Sequence, residues 1–364
     1  MKTSFTVQDV LNQFGIDLSA SSFGNGHINS TYIVETDPKC ILQRVNTDIF
    51  RRPDQVMENI AAVTEHLRKK IIAAGGNPLR ETLTLLPTLD GKPYYTAPDG
   101  SCFRLYRFIE GTVSYDTAET PELFAASARA FGKFQKMLAD FPSEKLYETI
   151  PNFHNTSDRL NNFRASVTAD KSGRAASVQA EIDFVLARAD EVSQITDAIA
   201  EGSVPLRVTH NDTKLNNVML DPVTGEGVCV IDLDTVMPGS LLYDYGDSLR
   251  FGASTGAEDE QDLSKINFDL TYFEAYTDAF LSELADSITP KEVELLPFSA
   301  KLMTLECGMR FLADHIDGDT YFRIHRENQN LDRCRTQFKL VADMESKMDQ
   351  MNAIVKKCCR KYGI

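Results

Sequence analysis

The chain lacks several features that would assign it to whole classes of protein. Its seven cysteines include no Cys-x-x-Cys pair, and several stand in apolar runs such as 228–231, where cysteine behaves as a small hydrophobic residue. We therefore predict free thiols in a reducing cytoplasm, with neither a zinc site nor a catalytic cysteine. No run of about 18 apolar residues occurs, and the start has no apolar core of signal-peptide length, so neither a membrane span nor a secretory leader is expected.

Positive charge is also scarce. The 38 lysines and arginines are outnumbered by 53 aspartates and glutamates, which gives a formal net charge of −15 without any long basic run. Nucleic acid and anionic membranes both require a positively charged surface, so neither is expected as a partner. ATP is compatible with this charge, because magnesium and a few local donors are enough to hold a triphosphate.

Length and patterning predict two lobes. At 364 residues the chain is longer than one hydrophobic core usually supports. Residues 1–109 contain short strand candidates around one long helix, whereas residues 110–364 are mostly helical apart from one hairpin. We predict an α+β fold with a small antiparallel-sheet N-terminal lobe and a larger, mostly helical C-terminal lobe.

Hydrophobic periodicity and turn signals predict the individual elements. Strands are predicted within 31–34, 39–45, 82–86, 92–96 and 102–109, and helices within 6–14, 53–74, 156–167, 180–200, 270–284, 291–315 and 333–357, with another beginning after Thr120.

One short stretch carries the chemistry. The spacing His210-x-Asp212-x-x-x-x-Asn217 matches the catalytic loop of the protein-kinase signature, in which the Asp accepts a proton and the Asn holds magnesium. Strand-like runs on both sides of the turn-forming segment 221–227 predict a hairpin, which would return Asp232 to the side of Asn217. We therefore predict Asp212 as the catalytic base, with Asn217 and Asp232 as magnesium ligands.

Charged residues near this loop have further expected roles. Lys214 would lie against the transferring phosphoryl group and offset its charge. Asp234 is one strand repeat beyond Asp232 and could be a second metal ligand, a substrate contact or a solvated strand end. Asp244 and Asp247 are predicted to cap or anchor a helix start beneath the site.

A glycine-containing turn precedes the first predicted strand pair. Gly24 and Gly26 would let backbone N–H groups approach a phosphate, as the glycine-rich loop of kinases does. The third glycine of that pattern is absent, so a plain hairpin turn fits as well. Protein kinases also place a lysine on the third strand, whereas the matching stretch here holds Gln43 and Arg44 on opposite faces. Which of these two side chains meets the nucleotide stays open.

These residues resemble the aminoglycoside phosphotransferase and choline kinase superfamily, whose fold is bilobal and protein-kinase-like. Within that superfamily the similarity to N-acetylhexosamine 1-kinases is close. The runs that carry the resemblance extend over nearly the whole chain and comprise 26–29, 208–217, 231–235, 238–240, 250–254, 294–299 and 306–314.

The resemblance implies ATP- and magnesium-dependent phosphorylation of the anomeric hydroxyl of N-acetylglucosamine or N-acetylgalactosamine. It also implies a salvage role in the cytoplasm and a base and metal ligands at Asp212, Asn217 and Asp232. The N-terminal lobe would bind the nucleotide, and the C-terminal lobe would hold the catalytic loop and the acceptor. The remaining expected contacts are Gly24, Gly26, Asn29, Gln43 and Arg44 for the nucleotide, and His27, Asp234, Arg310 and Tyr321 for the sugar.

Two other functions stay open. A kinase of the same fold that acts on choline, homoserine or an aminoglycoside would keep the same catalytic residues and differ only in its acceptor pocket. A non-catalytic kinase-like scaffold would have no need of Asp212, Asn217 and Asp232 together, which argues against it. For the kinase we expect a monomer whose partners are ATP and a small acceptor.

Overall fold

The protein is described by a computed structural model that covers residues 5–24 and 28–364. The chain divides into two compact units. The first comprises Met1–Ser114, Asp140–Pro151 and Val218–Pro238, and the second comprises Tyr115–Ala139, Asn152–Asn217 and Gly239–Ile364. The predicted α+β fold, with an antiparallel sheet near the N-terminus and a mostly helical remainder, is confirmed. The predicted lobe boundary after residue 109 stays a prediction.

The elements are as follows. The helices are α1 Val7–Asn12, α2 Pro53–Ala73, α3 Pro78–Glu81, α4 Pro121–Met137, α5 Thr156–Ala169, α6 Gln179–Leu186, α7 Gln194–Ala200, α8 Leu241–Gly252, α9 Leu270–Leu284, α10 Pro290–Asp317 and α11 Gln329–Tyr362. The strands are β1 Ala20–Ser22, β2 Ser30–Val34, β3 Cys40–Val45, β4 Leu85–Leu86, β5 Tyr95–Thr96, β6 Cys102–Arg107, β7 Arg207–Thr209, β8 Val218–Leu220, β9 Gly227–Val230 and β10 Met237–Gly239.

The first unit is built on an antiparallel sheet with the strand order β1-β2-β3-β6-β4, and β5 also pairs with β6. Helix α1 covers one face, where Leu11 shares a core with Leu42 and Phe103. Because strand residues alternate between faces, Gln43 points to the other side, opposite its register partner Arg104 on β6. This second face therefore brings Gln43 and Arg104 together.

The predicted central hairpin is present in the first unit. Strand β8 pairs with β9 in antiparallel register, and Val218 lies opposite Val230. The chain thus enters the hairpin from Asn217 and leaves it towards Asp232. Asp232 has a φ of 58°, a left-handed conformation that non-glycine residues seldom adopt outside special sites.

The second unit is a helical assembly in which α8 lies deep in the interior. Residues of α8 from Leu241 to Arg250 are all buried. The helix approaches α10 so closely that a Cβ added at Gly246 would stand 2.5 Å from the backbone oxygen of Ser299. Glycine is required there because any side chain would push the two helices apart.

The predicted single helix over 180–200 is divided in the structure. Helix α6 ends at Leu186 and α7 begins only at Gln194. In the interruption, the guanidinium of Arg188 packs 3.5 Å from the ring centroid of Phe184 and bonds to Glu345 at 2.7 Å. The bond to Glu345 on α11 is a tertiary contact, which the local helix propensity of the segment does not record. Within the described residues, the structure contains no helix with the length and apolarity that crossing a membrane requires.

Candidate active site

Two buried carboxylates of α8 hold the predicted catalytic loop in the second unit. Asp244 accepts hydrogen bonds from the backbone N–H groups of His210 at 3.0 Å and Asn211 at 2.7 Å. Asp247 accepts one from the backbone N–H of Thr213 at 3.1 Å. Burial raises the pKa of Asp244, although the charge of His210 and these amides act in the opposite direction. Both aspartates thus hold the loop, and not a helix start as the sequence predicts.

Their predicted alternative role as helix caps is wrong. Ser240 caps α8, and its hydroxyl accepts a hydrogen bond from the backbone N–H of Leu242 at 3.2 Å. Helix α8 begins before Asp244, so neither aspartate stands at the position whose side chain reaches the free N–H groups. Both carboxylates are therefore available to the loop.

The left-handed residue Asn211 turns the chain immediately before Asp212. Its φ is 64°, and asparagine is one of the few residues that tolerate this region. The backbone N–H of Asp212 then lies 3.3 Å from Nδ1 of His210. The loop amides are bonded to α8 and to His210, so the backbone of the loop is held in place. This backbone sets the direction of the Asp212 side chain.

Asp212, Lys214 and Asn217 lie together, as the sequence predicts. The Lys214 ammonium is 2.8 Å from Oδ1 of Asp212. The side-chain amide of Asn217 donates to the backbone oxygen of Asp212 at 2.8 Å and to its Oδ2 at 3.3 Å. Both carboxylate oxygens of Asp212 thus have a donor beside them, and Oδ2 has the weaker contact.

The ionisation of Asp212 reflects two opposing effects. Burial raises its pKa, but the nearby charge and hydrogen bond of Lys214, together with the charge of His210, bring the pKa below its usual value. The same pairing raises the pKa of Lys214 despite the opposing effect of burial. At neutral pH the two groups are therefore a carboxylate and an ammonium.

The residues expected to hold magnesium have suitable chemistry. Asn217 is 7% exposed, and its Nδ2 is committed to Asp212, whereas its Oδ1 accepts no hydrogen bond within residues 5–24 and 28–364. Magnesium is commonly bound by one or two protein oxygens together with phosphate oxygens and water. The described part of the chain contains no cluster of three or more histidine, cysteine, aspartate or glutamate side chains placed to hold a metal ion. An amide and one carboxylate, such as Asn217 and Asp232, match the requirement of a metal bound mainly by nucleotide.

A second charged cluster lies on the polar face of the sheet in the first unit. Arg104 is 1% exposed, and its Nη1 bonds to Oδ1 of Asp234. Its Nε and Nη2 donate to Oε1 of Gln43 at 3.0 and 2.8 Å. Asn29 donates to the other oxygen of Asp234 at 2.7 Å. Burial lowers the pKa of Arg104, but the charge and hydrogen bond of Asp234, together with Tyr106 and Asp232, outweigh burial and the pKa is raised.

The predicted nucleotide contacts Gln43 and Arg44 lie in different surroundings. Gln43 belongs to the Arg104 cluster, whereas Arg44 is half-exposed on the other face, where it donates to the Ser101 hydroxyl at 2.6 Å. Gly24 has a φ of 72° and is exposed, while Gly26 and His27 lie outside the described residues. Which of Gln43 and Arg44 contacts the nucleotide stays a prediction.

The predicted acceptor contacts Arg310 and Tyr321 are neighbours in the second unit. The guanidinium carbon of Arg310 lies 5.6, 6.0 and 5.4 Å from the ring centroids of Phe153, Tyr321 and Phe322. Tyr321 is 62% exposed. Among the described residues, Arg310 has neither a hydrogen bond nor an acidic partner. Its donors are thus available to a ligand, although the acceptor role of both residues stays a prediction.

Several residues of these clusters were not identified from the sequence. Arg104 could have been noticed, because it is a charged residue within the otherwise apolar run 102–106. Phe153 and Phe322 had only weak signals, since an aromatic residue in a loop is common. Their relation to Arg310 exists only in the folded chain.

Comparison with known proteins agrees with the fold. The model of the phosphotransferase enzyme family (APH) matches residues 19–283, which is more than half of the chain. A solved aminoglycoside phosphotransferase from Alicyclobacillus acidocaldarius is similar, with a TM-score of 0.61, 12% identity and coverage of 100% of this chain and 98% of that one.

Two further structures have comparable similarity. An amicoumacin kinase in complex with AMP-PNP, Ca²⁺ and Ami has a TM-score of 0.58 at 14% identity, with 94% of each chain covered. A choline kinase from Cryptosporidium parvum has a TM-score of 0.55 at 14% identity, with 93% of each chain covered. Identities this low show that the fold is shared, and they do not show that the acceptor is shared. With the family match over residues 19–283, the chain belongs to the APH phosphotransferase enzyme family.

Proposed function

We propose that the protein is an N-acetylhexosamine 1-kinase, which transfers the γ-phosphoryl group of ATP to the anomeric hydroxyl of N-acetylglucosamine or N-acetylgalactosamine. Membership of a phosphotransferase family supports the reaction class. The observation that carries the choice of acceptor is Arg310, a guanidinium between aromatic rings that has no acidic partner among the described residues. Guanidinium donors suit neutral hydroxyl and carbonyl oxygens, and aromatic rings suit the apolar face of a sugar.

Charges of both signs surround Arg310. Burial and the positive charge of Arg310 lower the pKa of Arg159, and the carboxylates of Glu306 and Asp158 act in the opposite direction. A cationic acceptor such as choline or an aminoglycoside, placed against the guanidinium of Arg310 itself, would be repelled by it. An N-acetylated sugar has no charge and incurs no such penalty.

The residues of the loop have defined roles in the proposed reaction. The anomeric hydroxyl gives its proton to Oδ2 of Asp212 as its oxygen bonds to the γ-phosphorus, and the bond from that phosphorus to the departing ADP oxygen breaks. Lys214 keeps Asp212 ionised and offsets negative charge on the phosphoryl group. Asn217 and Asp232 would hold Mg²⁺, which neutralises phosphate charge when bound.

The proposal also assigns the two substrates to different parts of the chain. The nucleotide is assigned to residues 1–109, with Gly24, Gly26, Asn29 and either Gln43 or Arg44 as contacts. The sugar is assigned to residues 110–364 with Asp234, Arg310 and Tyr321, together with His27 from outside that range. A cytoplasmic monomer is part of the same proposal.

An acceptor panel tests the function. Purified protein with ATP and Mg²⁺ is assayed for ADP release with N-acetylglucosamine, N-acetylgalactosamine, galactose, choline, homoserine and kanamycin, and Asp212→Asn is the control. We expect turnover with the two N-acetylated sugars and a product whose ³¹P signal couples to the anomeric proton. Preferred turnover of choline or kanamycin, or coupling to the protons of the exocyclic carbon, would contradict the proposal.

A further inference from the structure

His154, which precedes α5, connects a buried glutamate to the predicted catalytic loop. Its Nδ1 lies 2.8 Å from Oε1 of Glu306, and its Nε2 lies 3.1 Å from the backbone oxygen of Asn211. The residue is 8% exposed and Glu306 is 1% exposed. The sequence indicates no such partner, because Glu306 lies 152 residues further along the chain.

Both partners of the His154 ring are hydrogen-bond acceptors. The backbone oxygen of Asn211 has no proton to donate. Oε2 of Glu306 accepts a hydrogen bond from the Thr156 hydroxyl at 2.6 Å, and Oε1 faces Nδ1 of His154. Each oxygen of Glu306 thus has a donor beside it, as a carboxylate requires, and the ring satisfies both of its acceptors only when both of its nitrogens carry protons.

The other neighbours of His154 are compatible with a positively charged ring. The rings of Phe153 and Tyr243 lie with their centroids 4.5 and 5.3 Å from that of His154, where aromatic faces attract a cation. Burial raises the pKa of Tyr243, so its hydroxyl stays neutral. The closest negative charge is the carboxylate of Glu306, and the positive charge of Arg310 acts on that same carboxylate.

The contact falls on the strained residue of the catalytic loop. Asn211 has a φ of 64°, and its backbone N–H is bonded to Asp244 at 2.7 Å. His154 bonds to the oxygen of the same residue, on the peptide that joins Asn211 to Asp212. The left-handed turn is thus held from both sides, by a carboxylate on α8 and by the imidazole ring.

We propose that His154, in its doubly protonated form, is a positioning residue that fixes the turn at Asn211 and so directs the Asp212 carboxylate. The inference rests on the proposed function, in which Asp212 is the base. His154 touches neither of the substrates in this role. Its loss should therefore lower kcat and leave the KM values nearly unchanged, because a misdirected base affects the reacting geometry more than binding.

Kinetics with chemical rescue test the role. His154→Ala is expected to lower kcat on the order of 10–100-fold, as small displacements of reacting groups do. Imidazole added to the assay should restore part of kcat, because it can refill the space and, when protonated, donate from both nitrogens. 1-Methylimidazole has the same ring but only one N–H even when protonated, so it should restore much less.

Two further variants separate positioning from stability. His154→Gln keeps a donor for one of the two contacts, so it should fold well and keep an intermediate kcat. Thr277→Val removes two other buried hydrogen bonds of the second unit, one with the Tyr245 hydroxyl at 2.7 Å and one to the backbone oxygen of Phe273 at 2.6 Å, and should lower the melting temperature without the loss in kcat. Equal kcat losses in Thr277→Val and His154→Ala, or equal rescue by both imidazoles, would overturn the proposal.

A measurement without turnover distinguishes failure of this inference from failure of the proposed function. Long-range ¹H–¹⁵N spectra of histidine-labelled protein, with His154→Gln for assignment, should show protons on both ring nitrogens of His154 at neutral pH. A neutral tautomer would overturn the inference even in an active enzyme. A wild-type protein inactive on every acceptor would instead reject the proposed function, and the spectrum would still decide the state of His154.

Discussion

At the scale of single residues, the catalytic loop depends on a few charges whose effects oppose one another. Burial alone would leave Asp212 with a raised pKa, and Lys214 reverses that effect from 2.8 Å away. The pKa of Asp244 is shifted in the opposite direction, because burial keeps it raised although the carboxylate binds two loop amides. Lys214 makes the largest contribution to the ionisation of the base, and His210 and Arg250 act in the same direction.

Replacing Lys214 tests this balance. In Lys214→Met the raising effect of burial stays and the lowering effect is lost, so the pKa of Asp212 rises. As the pH is lowered, activity that needs the carboxylate is then lost at a higher pH than in the wild type. The acid limb of the kcat/KM profile therefore moves to higher pH. Lys214→Arg keeps the charge and should leave the limb in place. An unshifted limb in Lys214→Met would show that Lys214 does not control Asp212.

The same pairing has a consequence for stability against acid. A carboxylate whose folded pKa is lowered stabilises the protein above its unfolded pKa, and this contribution is lost as the pH falls through the folded value. Wild-type protein should therefore lose more stability than Lys214→Met as the pH falls from neutral into the acid range, because in Lys214→Met the raised folded pKa of Asp212 makes protonation favour the folded state. Melting temperatures measured across that range check the direction. A larger loss in Lys214→Met would contradict it.

At the scale of elements, α8 connects the packing of the second unit to its chemistry. The helix presents Asp244 and Asp247 to the loop, and its close approach to α10 requires glycine at 246. A shift of α8 would move both carboxylates together. Helix packing and loop geometry are thus coupled through one buried helix.

Gly246→Ala tests this coupling. The added methyl group would meet the backbone of Ser299, which cannot move as a side-chain tip can, so we expect a loss of about 1–3 kcal/mol in the free energy of unfolding. Because α8 carries the loop anchors, kcat should fall as well. Ser346→Ala, on the exposed side of α11, is the control and should change stability by less than about 0.5 kcal/mol. If Gly246→Ala is destabilised but fully active, the packing of α8 does not control the geometry of the catalytic loop.

At the scale of the whole molecule, the first unit is built from segments that are far apart in the sequence. The segment Val218–Pro238 belongs to the same unit as the N-terminal sheet. Within that unit, the buried pair of Arg104 and Asp234 joins residues 130 positions apart. Such a pair is costly to break, because the remaining charge is buried without a partner.

A double-mutant cycle measures this connection. Arg104→Met should lower the free energy of unfolding by about 3–5 kcal/mol, because it leaves Asp234 buried and unpaired. Arg104→Met combined with Asp234→Leu removes both charges and should recover much of that loss. Urea unfolding of the two single variants and the double variant provides the comparison. If the double variant is no more stable than Arg104→Met, the loss of stability in Arg104→Met does not come mainly from the broken ion pair.

The sequence by itself determined the features that depend on neighbouring residues. Helix α9 begins and ends where periodicity places it, at Leu270 and Leu284, and Thr120 caps α4, because caps and apolar spacing are local properties. The hairpin between 218 and 230 and the contact of Asp212 with Lys214 were predictable for the same reason.

Only the tertiary structure decided what depends on distant partners. It placed Gln43 beside Arg104 and Arg44 beside Ser101, a choice that strand alternation left open. It also brought Glu306 to His154, and turned a histidine without a sequence signal into a neighbour of the catalytic loop. The physical reason is that buried charges are satisfied by packing across the chain, and no local pattern records which partner will arrive.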